Sequence, residues 1–307
     1  MVFLTTDLKV SDYLYITSGE KYYTYLICGN DDLAIVDANY AEAMPRIVSN
    51  IRSFGFQPTQ IRWIFVTEYH EDHVGGLPEL LRQAPSTRIA TSSFNAKALE
   101  DPRWRFRDLS GISDQQEVVS KYGSDALLPL KVNSILSDGD RIKIGDLEFD
   151  ALLAPGHSPE ELCLYESSSK MLVCSDAFGI YWPESGTSIP LPFHSLNEYK
   201  RSMKRLSTMK SETLLTGHNG VVKDADVERF VQSGLEAADE WEEYIVRELS
   251  MPVRTGELAE KIYHRFPACR AWNYDLTEAV VEAYLQGLER AGIAQTSGAD
   301  SWRTARS

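Results

Sequence analysis

Four short apolar runs in this chain each lead, within a few residues, to a histidine or an acid. IRWIFVT (Ile61 to Thr67) runs into Glu68, Tyr69, His70, Glu71, Asp72 and His73; LEFDALLAP (Leu147 to Pro155) runs into His157, MLVCS (Met171 to Ser175) into Asp176, and ETLLT (Glu212 to Thr216) into His218. Short apolar runs without alternation read as strands covered on both faces, the usual condition of strands in layered α/β folds. Folds of that class build their sites from the loops that follow the strands. The sequence holds six histidines in all, and four of them fall at these strand ends. Scattered surface histidines have no reason to do so, and one converging cluster is implied.

The rest of the chain fits an α/β reading. YTYLICG (Tyr23 to Gly29) and DLAIVDAN (Asp32 to Asn39) predict a hairpin closed by a Gly-Asn-Asp turn. From Ala41 the period changes: Met44, Ile47, Val48, Ile51 and Phe54 repeat every 3.6 residues, with Gly55 placed as a helix-ending glycine. A further helix is expected near Leu77, a strand at STRIATS (Ser86 to Ser92), and one strand-like run over RIKIGDLEFDALLAP (Arg141 to Pro155). Residues 94–131 are polar and punctuated by aromatics, which reads as a helical insertion. Beyond residue 225 the chain becomes helical: Val227, Phe230, Val231, Leu235, Trp241 and Ile245 form one stripe with acids opposite, two more amphipathic stretches follow, and IAQTSGADSWRT reads as a small hairpin. The expected division is residues 1–225 as one α/β domain and 226–307 as a C-terminal helical, winged-helix-like domain.

Composition excludes several functions. A formal charge of −14 and a pI near 4.9 oppose binding to phosphate backbones, so no nucleic-acid partner is expected, and the glutamate-rich C-terminal helices are read as a cleft cap or a homodimer surface. No run approaches the roughly 18 apolar residues of a membrane span, and the opening MVFLTTDLKV lacks a secretory pattern. Cys28, Cys163, Cys174 and Cys269 are far apart, and three lie in apolar runs, which suits buried reduced thiols in a cytoplasmic protein.

Imidazoles mixed with carboxylates suit zinc, iron or manganese. A short loop leaving a strand can aim Glu68 and His70 to one side and Asp72 and His73 to the other, giving two ion positions. One histidine for each, His157 and His218, with Asp176 bridging, completes two sets of ligands. Two cations so held lower the pKa of a shared water toward neutrality.

These residues resemble the pattern of the metallo-β-lactamase superfamily: His-x-His-x-Asp-His, a histidine after a glycine, an aspartate after an apolar strand, and a final Gly-His pair. The matching segments are EYHEDH, Gly156-His157, Cys174-Ser175-Asp176 and Gly217-His218, over about residues 10 to 225. The resemblance implies an αββα sandwich of two packed mixed sheets flanked by helices, two divalent transition metals, and a small-molecule substrate. It also matches Asp37 to a strand-end aspartate that orients ligands, whereas read alone Asp37 equally suits a turn cap. One position departs: Glu68 stands where the family has its first histidine. That shift toward a harder, more anionic pocket favours iron over zinc, with manganese open. The Asp176-Ala177-Phe178-Gly179 stretch is similar to one in flavodiiron proteins, and the general layout resembles the family's quinolone-signalling thioesterases.

The expected function is hydrolysis of a small thioester or lactone, with Asp72 and Asp176 as catalytic residues. The alternative is a diiron redox protein that binds oxygen or nitric oxide, as sensor or oxygenase. Taken alone, Glu68 also admits a reading in which it binds nothing and one ion position is weak. Glu71 is read as a solvated side chain, His194 as a pocket wall and His264 as surface. Phe178, Tyr181, Trp182 and Phe193 suit either the border of the cleft or ordinary packing.

Overall fold

The apolar runs become strands because both of their faces are covered, as a computed structural model of the chain shows. It describes residues 4–5, 8–30, 32–110, 114–272, 274–298 and 300–305. After β1 (Leu4–Thr5) come β2 (Leu14–Ser18), β3 (Thr24–Gly29), β4 (Asp32–Val36), α1 (Met44–Ser53), β5 (Ile61–Phe65), α2 (Glu71–Val74), α3 (Leu77–Gln83) and β6 (Arg88–Thr91). Helices α4 (Ser93–Glu100), α5 (Pro102–Ser110) and α6 (Gln115–Tyr122) occupy the insertion. Next are β7 (Ser134–Ile135), β8 (Arg141–Ile144), β9 (Leu147–Leu153), β10 (Leu162–Glu166) and β11 (Met171–Ser175). A hairpin, β12 (Ile180–Trp182) and β13 (Thr187–Ile189), precedes α7 (Leu196–Ser207), β14 (Thr213–Thr216) and β15 (Gly220–Lys223).

Strands β2 to β7 form one six-stranded sheet in sequence order, antiparallel as far as β4 and parallel from there. The second sheet has the order β1-β15-β14-β11-β10-β9-β8, with β11 and β14 parallel. Alternation along each strand assigns its side chains. Tyr25 and Ile27 face inward to meet Phe149, Leu164 and Val173 of the opposite sheet, while Leu26 between them packs outward on α1. The outer face of the second sheet, including Leu172 and Leu214, is covered by α7 and α8 (Ala225–Glu248). The result is a helix–sheet–sheet–helix stack, an αββα sandwich.

Local signals explain most boundaries. Helix α1 ends in a Schellman motif, with Phe56 N donating to Ile51 O, Gly55 N donating to Arg52 O, and Gly55 at φ +90°. The β3–β4 turn has Asn30 at φ +50°, and Asp31 lies outside the described residues. The expected single run from 141 to 155 folds instead as the β8–β9 hairpin, because Gly145 takes φ +59° and lets the chain reverse.

After α8 come β16 (Val253–Arg254), α9 (Thr255–Arg265), α10 (Pro267–Ala271), α11 (Tyr274–Arg290), β17 (Ala294–Gly298) and β18 (Ser301–Thr304). The last two strands form the foreseen hairpin, extended by β16 into a three-stranded sheet. Helices α8, α9 and α11 share one apolar cluster with Ile180, Ile189, Leu191 and Leu196, so this helical region is seated on the β12–β13 hairpin and α7. No described helix is long and apolar enough to cross a membrane.

Candidate metal centre

Strands β4 and β5 run parallel, as do β11 and β14, and β9 points the same way as β11 through the antiparallel β10 between them. The loops after these strands therefore open at one end of the sandwich. A backbone bond from Leu162 N to Thr67 O (2.7 Å) stitches the two sheets together there.

The seven candidate ligands meet at this end. Glu68, His70 and His157 present ligand atoms that all lie within 4.8 Å of one another, and so do Asp72, His73 and His218; Glu68, His73 and Asp176 form a third such group between them. Glu68 Oε1 lies 3.0 Å from His157 Nε2 and 3.1 Å from His73 Nε2, and Glu68 Oε2 lies 2.5 Å from His70 Nδ1. Asp176 Oδ2 is 2.8 Å from His218 Nε2, 3.6 Å from His157 Nε2 and 3.8 Å from His73 Nε2. Asp72 Oδ2 is 3.6 Å from His73 Nε2 and 3.7 Å from His218 Nε2.

Surrounding groups aim three of the rings. His73 Nδ1 is held by Asp37 Oδ2 (2.9 Å), His157 Nδ1 donates to the Leu191 carbonyl (2.9 Å), and His218 Nδ1 donates to the Lys21 carbonyl (2.9 Å). Each ring thus turns its Nε2 toward the cluster, the arrangement that metal-binding histidines require. Asp37 also accepts from Thr67 N (2.8 Å) and Thr67 Oγ1 (2.7 Å), so it orients a ring rather than ending a turn. It sits at φ +59°, and Ser175, just before Asp176, at φ +42°. Such backbone strain is tolerated where surrounding contacts fix it. Gly217 has no room for a side chain: a Cβ there would fall 2.1 Å from Asp176 Oδ1.

Charge binds the cluster tightly. Burial opposes ionisation of Glu68, but His157, His70 and His73 hold its carboxyl below the usual range. Asp176 is likewise held well below its ordinary value by His218 and His73 despite burial. Burial alone would lower His157, yet Glu68 and Asp176 push it up to about 10.

Several residues escaped the sequence. Glu161 is fully buried behind the cluster and accepts from Asp176 N (2.7 Å); burial drives its carboxyl well above the usual range, against the pull of His157. Its neighbour Glu160, in the turn before β10, points elsewhere, toward Ser93 Oγ and Phe94 N. Two identical residues side by side carry no signal of which one goes inside. Tyr22 packs edge-on against Tyr40 and against the His218 ring, which Trp272 of the C-terminal region also touches, with centroids 5.2 Å apart. Nothing in the local sequence marks them.

One expectation is corrected, and one open reading divides. Glu71 is largely buried rather than solvated: the short helix α2 turns it onto Arg105 of α5 (3.1 Å), and burial raises its carboxyl to about 7 against the pull of that guanidinium. Of the four aromatics near Asp176, Phe193 lines the cleft, whereas Phe178 and Tyr181 are buried among α7 and α8 and Trp182 packs on the C-terminal cluster. His194 lies on the cleft wall and His264 is exposed, both as expected.

The cleft measures about 910 Å³. Phe94, Phe106 and Tyr122 line one side, and Trp272 with one face of α11 lines the other. Among its described lining residues Arg290 is the one lysine or arginine, against Glu71, Asp72, Asp176 and Glu282.

Comparison with known proteins places this architecture. A family model described as "Metallo-beta-lactamase superfamily" matches residues 19–218. An uncharacterized protein of Aquifex aeolicus is 31% identical over 50% of this chain and 66% of its own length. The acyl-coenzyme A thioesterase MBLAC2 of Homo sapiens is 28% identical over 50% of this chain and 54% of its own, and the putative diflavin flavoprotein A 3 of Nostoc sp. is 25% identical over 54% and 25%. The match thus spans from a quarter to about two thirds of these relatives. The crystal structure of the metallo-beta-lactamase family protein TTHA1429 from Thermus thermophilus superposes with a TM-score of 0.73 at 20% identity, covering 97% of this chain and all of that one.

Proposed function

Because the chain belongs to the metallo-beta-lactamase superfamily, we propose that it is a metal-dependent hydrolase of a small ester-like substrate, a thioester or a lactone. One observation carries the reading: Glu68 Oε1 and Oε2, His73 Nε2 and Asp176 Oδ1 are buried together without a hydrogen-bond partner. Leaving such atoms buried without aligned hydrogen bonds is costly, and a metal ion that takes the place of the protons shared between these carboxylates and imidazoles fits them. In this reading Glu68, His70 and His157 hold one divalent transition ion, Asp72, His73 and His218 hold the other, and Asp176 lies between them. When bound, the pair supplies Lewis acidity for a carbonyl and brings the pKa of water toward neutrality.

The chain's own residues do the rest. Asp37, Leu191 O and Lys21 O fix the ring orientations, Asp176 holds the two halves together, and Asp72, which lines the cleft, takes the proton of the attacking water. The aromatic walls suit an apolar acyl group, and the likeness to the MBLAC2 thioesterase supports the thioester form.

A second reading is a diiron redox centre. Glu68 makes the donor set more anionic, which ranks iron ahead of zinc with manganese open, and the flavoprotein relative supports it. Elemental analysis of protein from native-like medium, paired with a thioester and lactone panel, separates the two. Hydrolysis by protein holding two ions per chain is the expected result. An oxygen-responsive iron spectrum with no ester turned over would overturn the hydrolase in favour of the redox centre.

A further inference from the structure

We propose that Glu68 is shared by both ion positions, so that the centre is closed by two bridging carboxylates, Glu68 and Asp176. The proposal rests on the metal-centre reading above but not on the hydrolytic one.

Three observations support it. The first is position: Glu68 Oε1 approaches His157 Nε2 of one trio (3.0 Å) and His73 Nε2 of the other (3.1 Å) almost equally, while Oε2 turns to His70 Nδ1 (2.5 Å). The second is chemistry. A neutral imidazole offers one lone pair and serves one ion, whereas a carboxylate has two oxygens with about four acceptor directions. The third is isolation: Glu68 has no exposed surface, and the charged contacts of its oxygens are to the imidazoles of His70, His73 and His157, each a proposed ligand itself. Its backbone is pinned as well, since the carbonyl of the preceding Thr67 accepts from Leu162 N (2.7 Å) and from Asn95 Nδ2 (3.0 Å).

Sharing has two consequences. The Glu68, His70 and His157 trio is incomplete without Glu68, and the Asp72, His73 and His218 trio gains it as a further donor, so the first ion to bind fixes the carboxylate where the second needs it and loading is cooperative. An anion between two cations also offsets their mutual repulsion. Glu68, Asp72 and Asp176 leave a net charge of +1 on two divalent ions (4 minus 3), where a histidine at position 68 would leave +2 (4 minus 2). That difference favours harder ions.

The test is Mn(II) titration of the metal-stripped full chain, with stoichiometry read by equilibrium dialysis and spin coupling by electron paramagnetic resonance. Unsubstituted protein should take up two coupled ions in one cooperative step. His70→Ala and His218→Ala should each lose one ion, whereas Glu68→Gln should weaken both by at least ~10-fold and abolish the coupled signal. Glu68→Asp, one methylene shorter, should keep one ion without coupling, and it stands in should Glu68→Gln fail to fold. The proposal is overturned if Glu68→Gln loses only the ion that His70→Ala loses. Failure of the unsubstituted chain to bind Mn(II) would sink the metal centre itself. Cooperative loading by a protein that cleaves no ester would leave the bridge standing and remove the hydrolase.

Discussion

The two ends of the sandwich are built from the same strands and differ in almost every other respect. At the far end, the β8–β9 and β10–β11 connections are tight and their polar groups find partners: Gly145 N donates to Asp32 Oδ2, and Glu166 accepts from Ser168 N (3.0 Å) and Ser169 N (2.7 Å). At the site end, the loops leave buried oxygens and nitrogens facing one another without aligned hydrogen bonds. One end spends its polar groups on stability, while the other keeps them available for a ligand.

Substitutions at the two ends should therefore separate function from folding. The largest effect is expected from Asp176→Asn, with about a 10³-fold loss of turnover and loss of at least one ion, yet a melting temperature within a few degrees of the unsubstituted chain; unchanged ion content would remove Asp176 from the centre. Gly145→Ala should do the reverse. A Cβ there would fall 1.7 Å from Gly29 O in a residue at φ +59°, so a loss of about 3 kcal/mol is expected. The molecules still folded should hold a full complement of metal, and a depleted complement would show that the two ends are not independent.

Asp37→Asn keeps the shape but weakens the hold on His73. Roughly a 10- to 100-fold drop in metal affinity should follow with little change in stability. Glu166→Gln should have the smallest effect, about 1 kcal/mol near neutral pH. Bonds from Ser168 and Ser169 lower the Glu166 carboxyl despite burial, so its contribution is full above the ordinary glutamate value of about 4.3 and is lost as pH falls through the lowered folded value. Denaturant titrations from pH 7 to 3 should show the two curves converging; a constant gap would mean that the charge plays no part.

The sequence shows most clearly what depends on order along the chain. Doubly covered strands, the stripe of α1 and the ligands after β5, β9, β11 and β14 follow from local period and from strand ends. What it hides is what depends on which long-range neighbour a side chain meets. Glu71 looked solvated because its partner, Arg105, lies 34 positions away (105 minus 71) on a helix whose docking no local pattern encodes. Trp272 and Tyr22 meet at the His218 ring from opposite halves of the chain. The bend at Gly145 was readable in principle from its Gly-Asp pair, but the apolar run on either side masked it.

Helix α11 carries two duties on separate faces. Val280, Val281, Tyr284, Leu285 and Leu288 are locked into the C-terminal cluster, while Ala279, Ala283 and Gln286 look into the cleft. Residue volume can therefore change along the second row without disturbing the first. A lineage could retune which molecules it accepts by exchanging a few small side chains on one keel, leaving its chemistry untouched.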